Sequence, residues 1–397
     1  MKRITVFCDG TWNRADQPHP TNVRQMVMMV LRDGGDGVEQ VPLYFQGVGV
    51  PEKGGWLERI NEKLSGGAMG AGLDDKIALA YTHLARRYEP GDQVFIFGFS
   101  RGAYTARSLV GLIRNSGLPS DPSTELVARC FDLYRDRSDE AKPDGAKSLA
   151  FRLRFSPQIT TSKTEMAYRE AGGHPKGRPF AVTYLGIWDT VGALGIPSHW
   201  GLPARLLNRK HRFHDTDLSR TVQSARHAVA VDEERRHFVP TLWTNLAELR
   251  RENPEGDYRQ EWFAGNHGSV GGGGDIVSLS GLALAWIAQG AVEARLKLDA
   301  EALAHVRSGC DLLGPLRNQS GGKSLTERLL GLTGKARKGP DEVGAVSHPA
   351  VARWRTDAFP AEWRGRPYRP KTLQTIETSL NGFDLAAIRD YSAVSFT

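Results

Sequence analysis

The stretch GFSRG, at residues 98–102, constrains the fold of this chain more than any other part of its sequence. Apolar residues 94–97 precede it and predict a strand that is buried on both faces. Small and apolar residues at helical spacing follow it, and Gly117 supplies a helix stop signal. A chain that passes from such a strand directly into a helix must reverse sharply, which exposes a serine hydroxyl on a strained corner. The context therefore predicts that Ser100 is a nucleophile, whereas the pattern alone would also suit a structural Gly-Ser turn.

Apolar strands and amphipathic helices alternate on both sides of this turn. The sequence predicts further strands at residues 4–8, 41–45, 181–188 and 238–243, and helices at residues 22–31, 73–88, 218–235 and 278–296. The alternation favours an α/β fold of the α/β-hydrolase type, with a mostly parallel central sheet and helices on both faces. A chain of 397 residues is long enough for one large domain or two ordinary ones. We expect a single domain over residues 1–397.

Two irregular stretches interrupt this pattern. Residues 119–179 follow the helix after Ser100, and residues 196–217 follow the next strong strand. We expect both to be insertions that form a lid or cap over the functional site. Residues 304–397 show mixed patterning and are expected to form a peripheral C-terminal segment.

A serine nucleophile needs an acid and a base, which a doubly wound hydrolase supplies in the order Ser, Asp or Glu, then His. Asp189 comes directly after the predicted strand at residues 181–188, so we predict that it is the acid. An Asp at this place could instead cap the following turn. Asp232 is the competing candidate, but it follows a predicted helix among other charged residues and is expected to be a surface or capping residue.

Among eleven histidines, His267 has the setting that best suits a general base. It follows a short aromatic strand and lies in the glycine-rich stretch GNHGSVGGGG, where the absence of bulky side chains permits close approach. His227 has apolar neighbours and is expected to be a core histidine on a helix. His237 stands beside two arginines and is expected at the surface.

The negative charge that develops on a substrate oxygen requires two hydrogen-bond donors. One is expected to be the backbone N–H of Arg101, the residue after the nucleophile. The other is expected to be the backbone N–H of Gly10 or Thr11, at the end of the first predicted strand. Asp9 would then hold this loop in place through hydrogen bonds.

Charge and composition limit the classes of partner. The formal net charge of +7 favours contact with anionic surfaces, either phospholipid headgroups or nucleic acid. No nucleic-acid-binding motif is present, and three scattered cysteines indicate neither a disulfide framework nor a zinc site. No metal or cofactor is expected. Because there is no secretory signal peptide and no run of 18 apolar residues, we expect synthesis in the cytoplasm without a transmembrane helix.

Several of these motifs occur together in a known family. The segments are FCDGTWN, YFQGVGV, YEPGDQVFIFGFSRGAYTARSLVGLI, LGIWDTVGALG, ARHAVAVDEERR, WFAGNHGSVGGGG and SHPAVARW. In this order they resemble the domain-of-unknown-function 2235 family, the α/β-hydrolase domain of the Tle-type phospholipase effectors of type VI secretion. The resemblance extends over about residues 4–373. It implies Ser100 as nucleophile, Asp189 as acid and His267 as base, in agreement with the residue-based predictions.

One residue departs from the family pattern. The family has an Asp two residues after the base, and this chain has Ser269 there, which removes any role of that Asp in orienting the loop. The resemblance further implies phospholipid ester hydrolysis and export by type VI secretion. It implies as partners a membrane surface, a component of the secretion apparatus and an immunity protein, with no nucleic acid.

Three functions stay open from the sequence. The leading interpretation is a serine esterase or phospholipase that forms an acyl-enzyme. The second is an esterase for a small soluble ester. The third, from another class, is a catalytically inactive module that binds membranes or nucleic acid through its basic charge; the complete and correctly ordered set of Ser100, Asp189 and His267 argues against it.

Overall fold

The structure is a computed structural model that describes residues 1–384, except residues 12, 51–70, 193–215, 237, 321–333 and 357–365. Its centre is a six-stranded sheet made of β1 (Arg3–Cys8), β2 (Gln40–Phe45), β3 (Gln93–Phe99), β6 (Val182–Trp188), β7 (Ala225–Ala230) and β8 (Tyr258–Phe263). The strands lie in the order β2-β1-β3-β6-β7-β8, and every neighbouring pair is parallel. Two short strands, β4 (Ile159–Thr160) and β5 (Arg178–Pro179), pair separately. The predicted α/β fold with a mostly parallel sheet is confirmed.

Both faces of the sheet are covered because its strands are apolar on both sides. On β1, Val6 contributes to one apolar cluster and Phe7 to the other. The cluster that contains Val6 also includes residues of helices α2 (Ala71–Arg87), α3 (Arg101–Ser116) and α4 (Thr124–Arg135). The cluster that contains Phe7 also includes residues of helices α1 (Asn22–Met29), α9 (Ser278–Glu293) and α10 (Ala300–Ser308). The other helices are α5 (Ala146–Phe155), α6 (Lys163–Ala171), α7 (Leu246–Glu252), α8 (His267–Gly271), α11 (His348–Arg355) and α12 (Glu377–Gly382).

Two predicted elements are wrong. The stretch 218–235, predicted as a helix, contains strand β7, whose six residues are all buried. A short apolar segment that is buried on both faces shows no periodicity, so the pattern could not separate helix from strand. The stretch 238–243, predicted as a strand, is irregular and makes one isolated bridge, between Pro240 and Val191. Proline lacks the N–H that a sheet interior requires.

The segment 119–179 packs along the side and the far end of helix α3. Asn115, near the end of that helix, donates to the carbonyl oxygen of Ala141 at 2.7 Å. Arg178 donates to the carbonyl oxygen of Pro90, in the turn that leads into the amino end of β3. These contacts anchor the segment toward the amino ends of the strands, which does not support a lid over their carboxyl ends. The other predicted lid, residues 196–217, lies outside the described residues except for residues 216 and 217.

The C-terminal part of the chain covers the edge strand β8. Val346 forms a parallel bridge with Trp262, and the Ser347 amide donates to the Trp262 carbonyl oxygen at 2.9 Å. Trp354 and Leu373 complete an apolar cluster against this edge. The contacts protect an otherwise unpaired strand. Among the described residues, no helix combines the length and the apolarity needed to cross a bilayer.

Candidate active site

Three loops at the carboxyl ends of the strands bring the predicted residues together. Ser100 follows β3, Asp189 follows the neighbouring strand β6, and His267 lies shortly after β8. In a parallel sheet these ends lie on one edge, which is where ligands bind in open α/β folds. The side chains of all three residues are buried.

The turn at Ser100 has the strained geometry that its sequence predicts. Ser100 has φ 59° and ψ −123°, a conformation that L-residues rarely adopt. The flanking glycines permit it. A Cβ at Gly98 would lie 2.5 Å from the carbonyl oxygen of Gly102, and a Cβ at Gly102 would lie 2.1 Å from that of Cys8. The serine is therefore held at the start of helix α3, where its hydroxyl lies within hydrogen-bond distance of His267.

A continuous hydrogen-bond chain connects the three side chains. Ser100 Oγ lies 2.8 Å from His267 Nε2, and His267 Nδ1 lies 2.5 Å from Asp189 Oδ2. This arrangement allows the imidazole to accept the serine proton while the carboxylate binds the opposite ring nitrogen. The imidazole ring contacts two aromatic rings, a tilted Phe99 at 4.6 Å and an edge-on Phe238 at 4.8 Å between centroids.

Asp189 is fully buried and nevertheless ionised. Its Oδ1 accepts the Ala230 amide at 2.9 Å, and the guanidinium of Arg337 donates to both of its carboxylate oxygens. Burial by itself would raise the pKa of Asp189, but the charge of Arg337 and the hydrogen bond from His267 hold that pKa well below its usual range. Asp189 is thus held as a carboxylate at neutral pH.

Two residues of the site were missed by the sequence analysis. Arg337 lies in the basic stretch GKARKG, which is typical of a solvent-exposed charged segment. Nothing in this stretch indicates that the arginine is buried. Glu233 is buried, pairs with Arg235 at 2.7 Å, and accepts the backbone N–H of His267 at 3.2 Å. It thereby holds the backbone of His267 in place.

The loop after β1 lies beside the start of helix α3. Asp9 organises it: its carboxylate accepts the Gly10 amide at 2.7 Å, the Thr21 hydroxyl at 2.8 Å and the Tyr44 hydroxyl at 2.7 Å. The Gly10 N–H is therefore already engaged, which corrects its assignment as a donor to a substrate oxygen. Thr11 is the next residue, and its hydroxyl accepts a hydrogen bond from the Arg101 guanidinium.

The competing candidates have structural roles. Asp232 accepts the Gly265 amide and the Tyr368 hydroxyl, each at 2.7 Å. His227 is a core histidine as predicted, but on strand β7, where its Nε2 accepts the Thr190 amide at 3.2 Å. Burial and the nearby Arg107 lower the pKa of His227 to about 3, so its ring is neutral. His237 lies outside the described residues.

Ser269, two residues after His267, makes its hydrogen bonds away from Ser100 and Asp189. Its hydroxyl donates to the Leu316 carbonyl oxygen at 2.8 Å, and its amide donates to the side chain of Asn266 at 2.9 Å. It holds the short helix that begins at His267. In the described part of the chain, no three His, Cys, Asp or Glu side chains cluster as a metal site requires.

Several known proteins are similar to this chain over part of their length. The yeast protein described as uncharacterized protein YEL023C, from Saccharomyces cerevisiae (strain ATCC 204508 / S288c), is 27% identical over 253 residues, which are 62% of this chain and 33% of that protein. A solved structure of an uncharacterized protein from Pseudomonas aeruginosa is 18% identical with a TM-score of 0.39, covering 75% of this chain and 46% of that one. A second, of the Tle1 effector bound to the VgrG spike from the Type 6 secretion system, is 17% identical with a TM-score of 0.33, covering 70% and 52%.

The chain thus spans between one third and about half of the length of these proteins. A family profile also matches most of the chain. The profile described as "T6SS, Phospholipase effector Tle1-like, catalytic domain" matches residues 2–290, which include Ser100, Asp189 and His267. Since this match takes in most of the chain, the protein belongs to the family of Tle1-like catalytic domains of type VI secretion phospholipase effectors.

Proposed function

We propose that this protein is a serine hydrolase that cleaves carboxylic esters, and in particular the acyl esters of phospholipids, through an acyl-enzyme on Ser100. The observation that carries the proposal is the hydrogen-bond chain from Ser100 Oγ through His267 to Asp189, built on a turn with positive φ. Membership of the Tle1-like family supports ester hydrolysis as the reaction class.

In the first half of the reaction, Ser100 Oγ attacks the ester carbonyl carbon while its proton passes to His267 Nε2. The carbonyl π bond opens, and its electrons form a negatively charged oxygen. Asp189 keeps the proton of the neutral ring on Nδ1 and stabilises the imidazolium that forms. When the intermediate collapses, the bond to the leaving alkoxy group breaks, and the alcohol departs with the proton from Nε2.

In the second half, water replaces the alcohol. His267 removes a proton from the water as it attacks the acyl carbon, and the collapse of the second tetrahedral intermediate breaks the bond to Ser100 Oγ. The proton returns to the serine, and the carboxylic acid leaves. A phospholipid would thereby yield a fatty acid and a lysophospholipid.

The oxyanion of both intermediates would be held by backbone N–H groups. We assign these to Arg101, at the first turn of helix α3, and to Thr11, on the loop that Asp9 organises. Two observations support the pairing: the loop lies against the helix start at Gly102, and the side chains of Thr11 and Arg101 are hydrogen-bonded. The positive end of the helix dipole adds to the stabilisation.

A phospholipid surface is the substrate form that the charge favours. The formal net charge of +7 attracts the chain to an anionic bilayer. In this proposal the protein is exported by type VI secretion and meets its substrate as a peripheral membrane enzyme. A component of the secretion apparatus and an immunity protein would be its protein partners.

The test combines two substrates and one covalent label with two variants, one of them a control. We expect the wild-type protein to hydrolyse short chromogenic esters and phospholipid vesicles, and to be labelled on Ser100 by a fluorophosphonate, as peptide mass spectrometry would show. The Ser100→Ala variant should keep its fold and lose about 10⁶-fold in kcat. Ser308→Ala, at the end of helix α10, is the matched control and should behave as wild type.

The outcomes separate the three functions. Hydrolysis of short esters without release of fatty acid from vesicles would favour the small-ester enzyme. Vesicle binding with neither hydrolysis nor labelling would favour the inactive module. If Ser100→Ala keeps a tenth of the wild-type turnover, Ser100 is not the nucleophile.

A further inference from the structure

Resting on the proposed function, we infer that Arg337 is a positioning residue of this active site: it fixes the orientation of the Asp189 carboxylate and sets the pH at which the Asp189–His267 pair takes up a proton. Residue 337 lies beyond residues 2–290, which the family profile matches. The C-terminal segment therefore completes the catalytic arrangement from outside the matched domain.

The guanidinium of Arg337 is held from both sides. One of its terminal nitrogens, Nη1, donates to Asp189 Oδ1 at 2.6 Å and to the Ala230 carbonyl oxygen at 2.8 Å. The other, Nη2, donates to Asp189 Oδ2 at 2.9 Å and to the Phe238 carbonyl oxygen at 2.5 Å. Only 4% of its side-chain surface is exposed. Four hydrogen bonds fix the orientation of the planar guanidinium. Its two bonds to Asp189 in turn fix the orientation of the carboxylate.

The carboxylate of Asp189 is saturated by these contacts. An ionised carboxylate offers about four lone-pair sites. Here they are taken by the Ala230 amide, by His267 Nδ1 and by two N–H groups of Arg337. Rotation of the carboxylate would break several of these hydrogen bonds at once. Oδ2 is consequently the only acceptor for the imidazole, and the ring stays in the orientation that directs Nε2 at Ser100.

Arg337 also decides the charge balance around the pair. Besides Arg337, the charged or titratable side chains near Asp189 and His267 include Glu233 with its partner Arg235, and His227, which lies near Arg107. Glu233 and Arg235 compensate each other in a short ion pair, and His227 is neutral. Among the described residues, Arg337 is the arginine that forms an ion pair with the buried carboxylate, and an arginine does not lose its proton in proteins.

Without Arg337, the positive charge would have to come from a proton. A fully buried carboxylate without a compensating charge is strongly disfavoured. The Asp189–His267 pair would then bind a proton at higher pH, and the proton belongs to the pair whichever residue carries it. In that state the imidazole no longer serves as a base supported by a carboxylate, so the acid limb of the activity profile moves upward in pH.

The experiment compares two substitutions of Arg337 with one of its neighbour. Arg337→Gln removes the charge, and Arg337→Lys keeps the charge but cannot bridge both carboxylate oxygens. Lys338→Gln removes a charge from the adjacent position, where the side chain is 89% exposed, and serves as the control. The readouts are the pH profiles of kcat and KM on a short soluble ester, the rate of fluorophosphonate labelling, and thermal unfolding.

We expect the acid limb of kcat/KM for Arg337→Gln to move up by roughly one pH unit or more. For Arg337→Lys we expect the acid limb to stay in place while kcat falls about 100-fold, because the acid is misplaced. KM should change little in either variant, since the guanidinium of Arg337 is engaged by Asp189 and two backbone carbonyl oxygens. Lys338→Gln should match the wild type.

Two results would overturn the inference. One is a folded Arg337→Gln variant whose pH profile has the wild-type position, which would leave Arg337 a role in stability alone. The other is an Arg337→Lys variant that keeps the wild-type kcat or whose acid limb is displaced. If Arg337→Gln does not fold, the Arg337→Lys result alone tests the inference. A wild-type protein that hydrolyses no ester would refute the proposed function instead. The pH dependence of the downfield proton resonance on His267 Nδ1, compared between wild type and Arg337→Lys, would then still test the inference.

Discussion

The backbone N–H of Ser100 donates to the carbonyl oxygen of Trp188 at 3.0 Å, and this bond connects the turn that carries Ser100 to the strand end that carries Asp189. Trp188 ends strand β6, and Asp189 follows it directly. The two loops therefore cannot move apart without breaking the sheet. Ser100 and Asp189 are also two of only three non-glycine residues with positive φ in the described part of the chain, at 59° and 37°. Such strain persists where the surrounding structure enforces it, as it does at functional sites.

The identity of the acid is tested by two matched substitutions. Asp189→Asn should lower kcat by about 10⁴-fold, the loss found for the equivalent change in a serine-protease triad, because the amide no longer holds the imidazole in the required tautomer. Asp232→Asn should reduce thermal stability and leave kcat nearly unchanged, since its carboxylate binds Gly265 and Tyr368. Steady-state kinetics on a soluble ester measures both. Equal losses, or a larger one at Asp232, would reassign the acid.

Strand β1 approaches the start of helix α3 so closely that adding one methyl group at Gly102 should destabilise the fold. In Gly102→Ala, the new Cβ would lie 2.1 Å from the Cys8 carbonyl oxygen and 2.4 Å from that of Asp9. Backbone atoms cannot yield as side chains do, so we expect a loss of roughly 1–3 kcal/mol or more in the free energy of unfolding. Gly344→Ala is the control, because no atom lies within 4 Å of its Cβ position. Urea unfolding compares the two, and equal stability of both variants would contradict the packing described here.

Stability against acid should depend on His227. Its pKa is lowered to about 3 in the folded protein, while in the unfolded chain it is about 6.5. Between these values the unfolded chain binds a proton that the folded protein does not, so stability falls as the pH falls through this window. The slope from this one group is at most about 1.4 kcal/mol per pH unit.

The His227→Gln variant removes this contribution. We expect it to be less stable than wild type at pH 8 but to lose less stability between pH 6.5 and pH 4, as measured by urea unfolding at each pH. His305→Gln, on the exposed side of helix α10, should retain the wild-type slope. An unchanged slope in His227→Gln would show that the histidine is charged in the folded state.

The net charge predicts how the substrate surface affects the rate. We expect faster hydrolysis of anionic phospholipid once it aggregates than below its aggregation threshold, because the +7 charge concentrates the protein at the surface. Salt should weaken this advantage, since the screening length is about 10 Å at 0.1 M. The rate on a short soluble ester should not respond to salt. A smooth rate through the threshold, without a salt effect, would favour the small-ester enzyme.

Much of the fold follows from local patterns in the sequence. The strand-turn-helix at residues 93–116 could be recognised because apolar runs, helical spacing and flanking glycines all lie within one short stretch. The chain order of Ser100, Asp189 and His267 was sufficient to select three residues that the structure places in one hydrogen-bond chain. Strand β7 was missed, because burial on both faces removes the alternation that distinguishes a strand.

The sequence by itself determined which residues could be the nucleophile, the acid and the base, since each stands at the end of a recognisable strand. Only the tertiary structure decided what surrounds them. Arg337 is 148 positions from Asp189 along the chain, and Glu233 is 34 positions from His267. A charged residue in a polar stretch gives no local signal of burial. Its role arises when folding removes it from water, because a buried charge must then find its partner among the residues that the fold brings close.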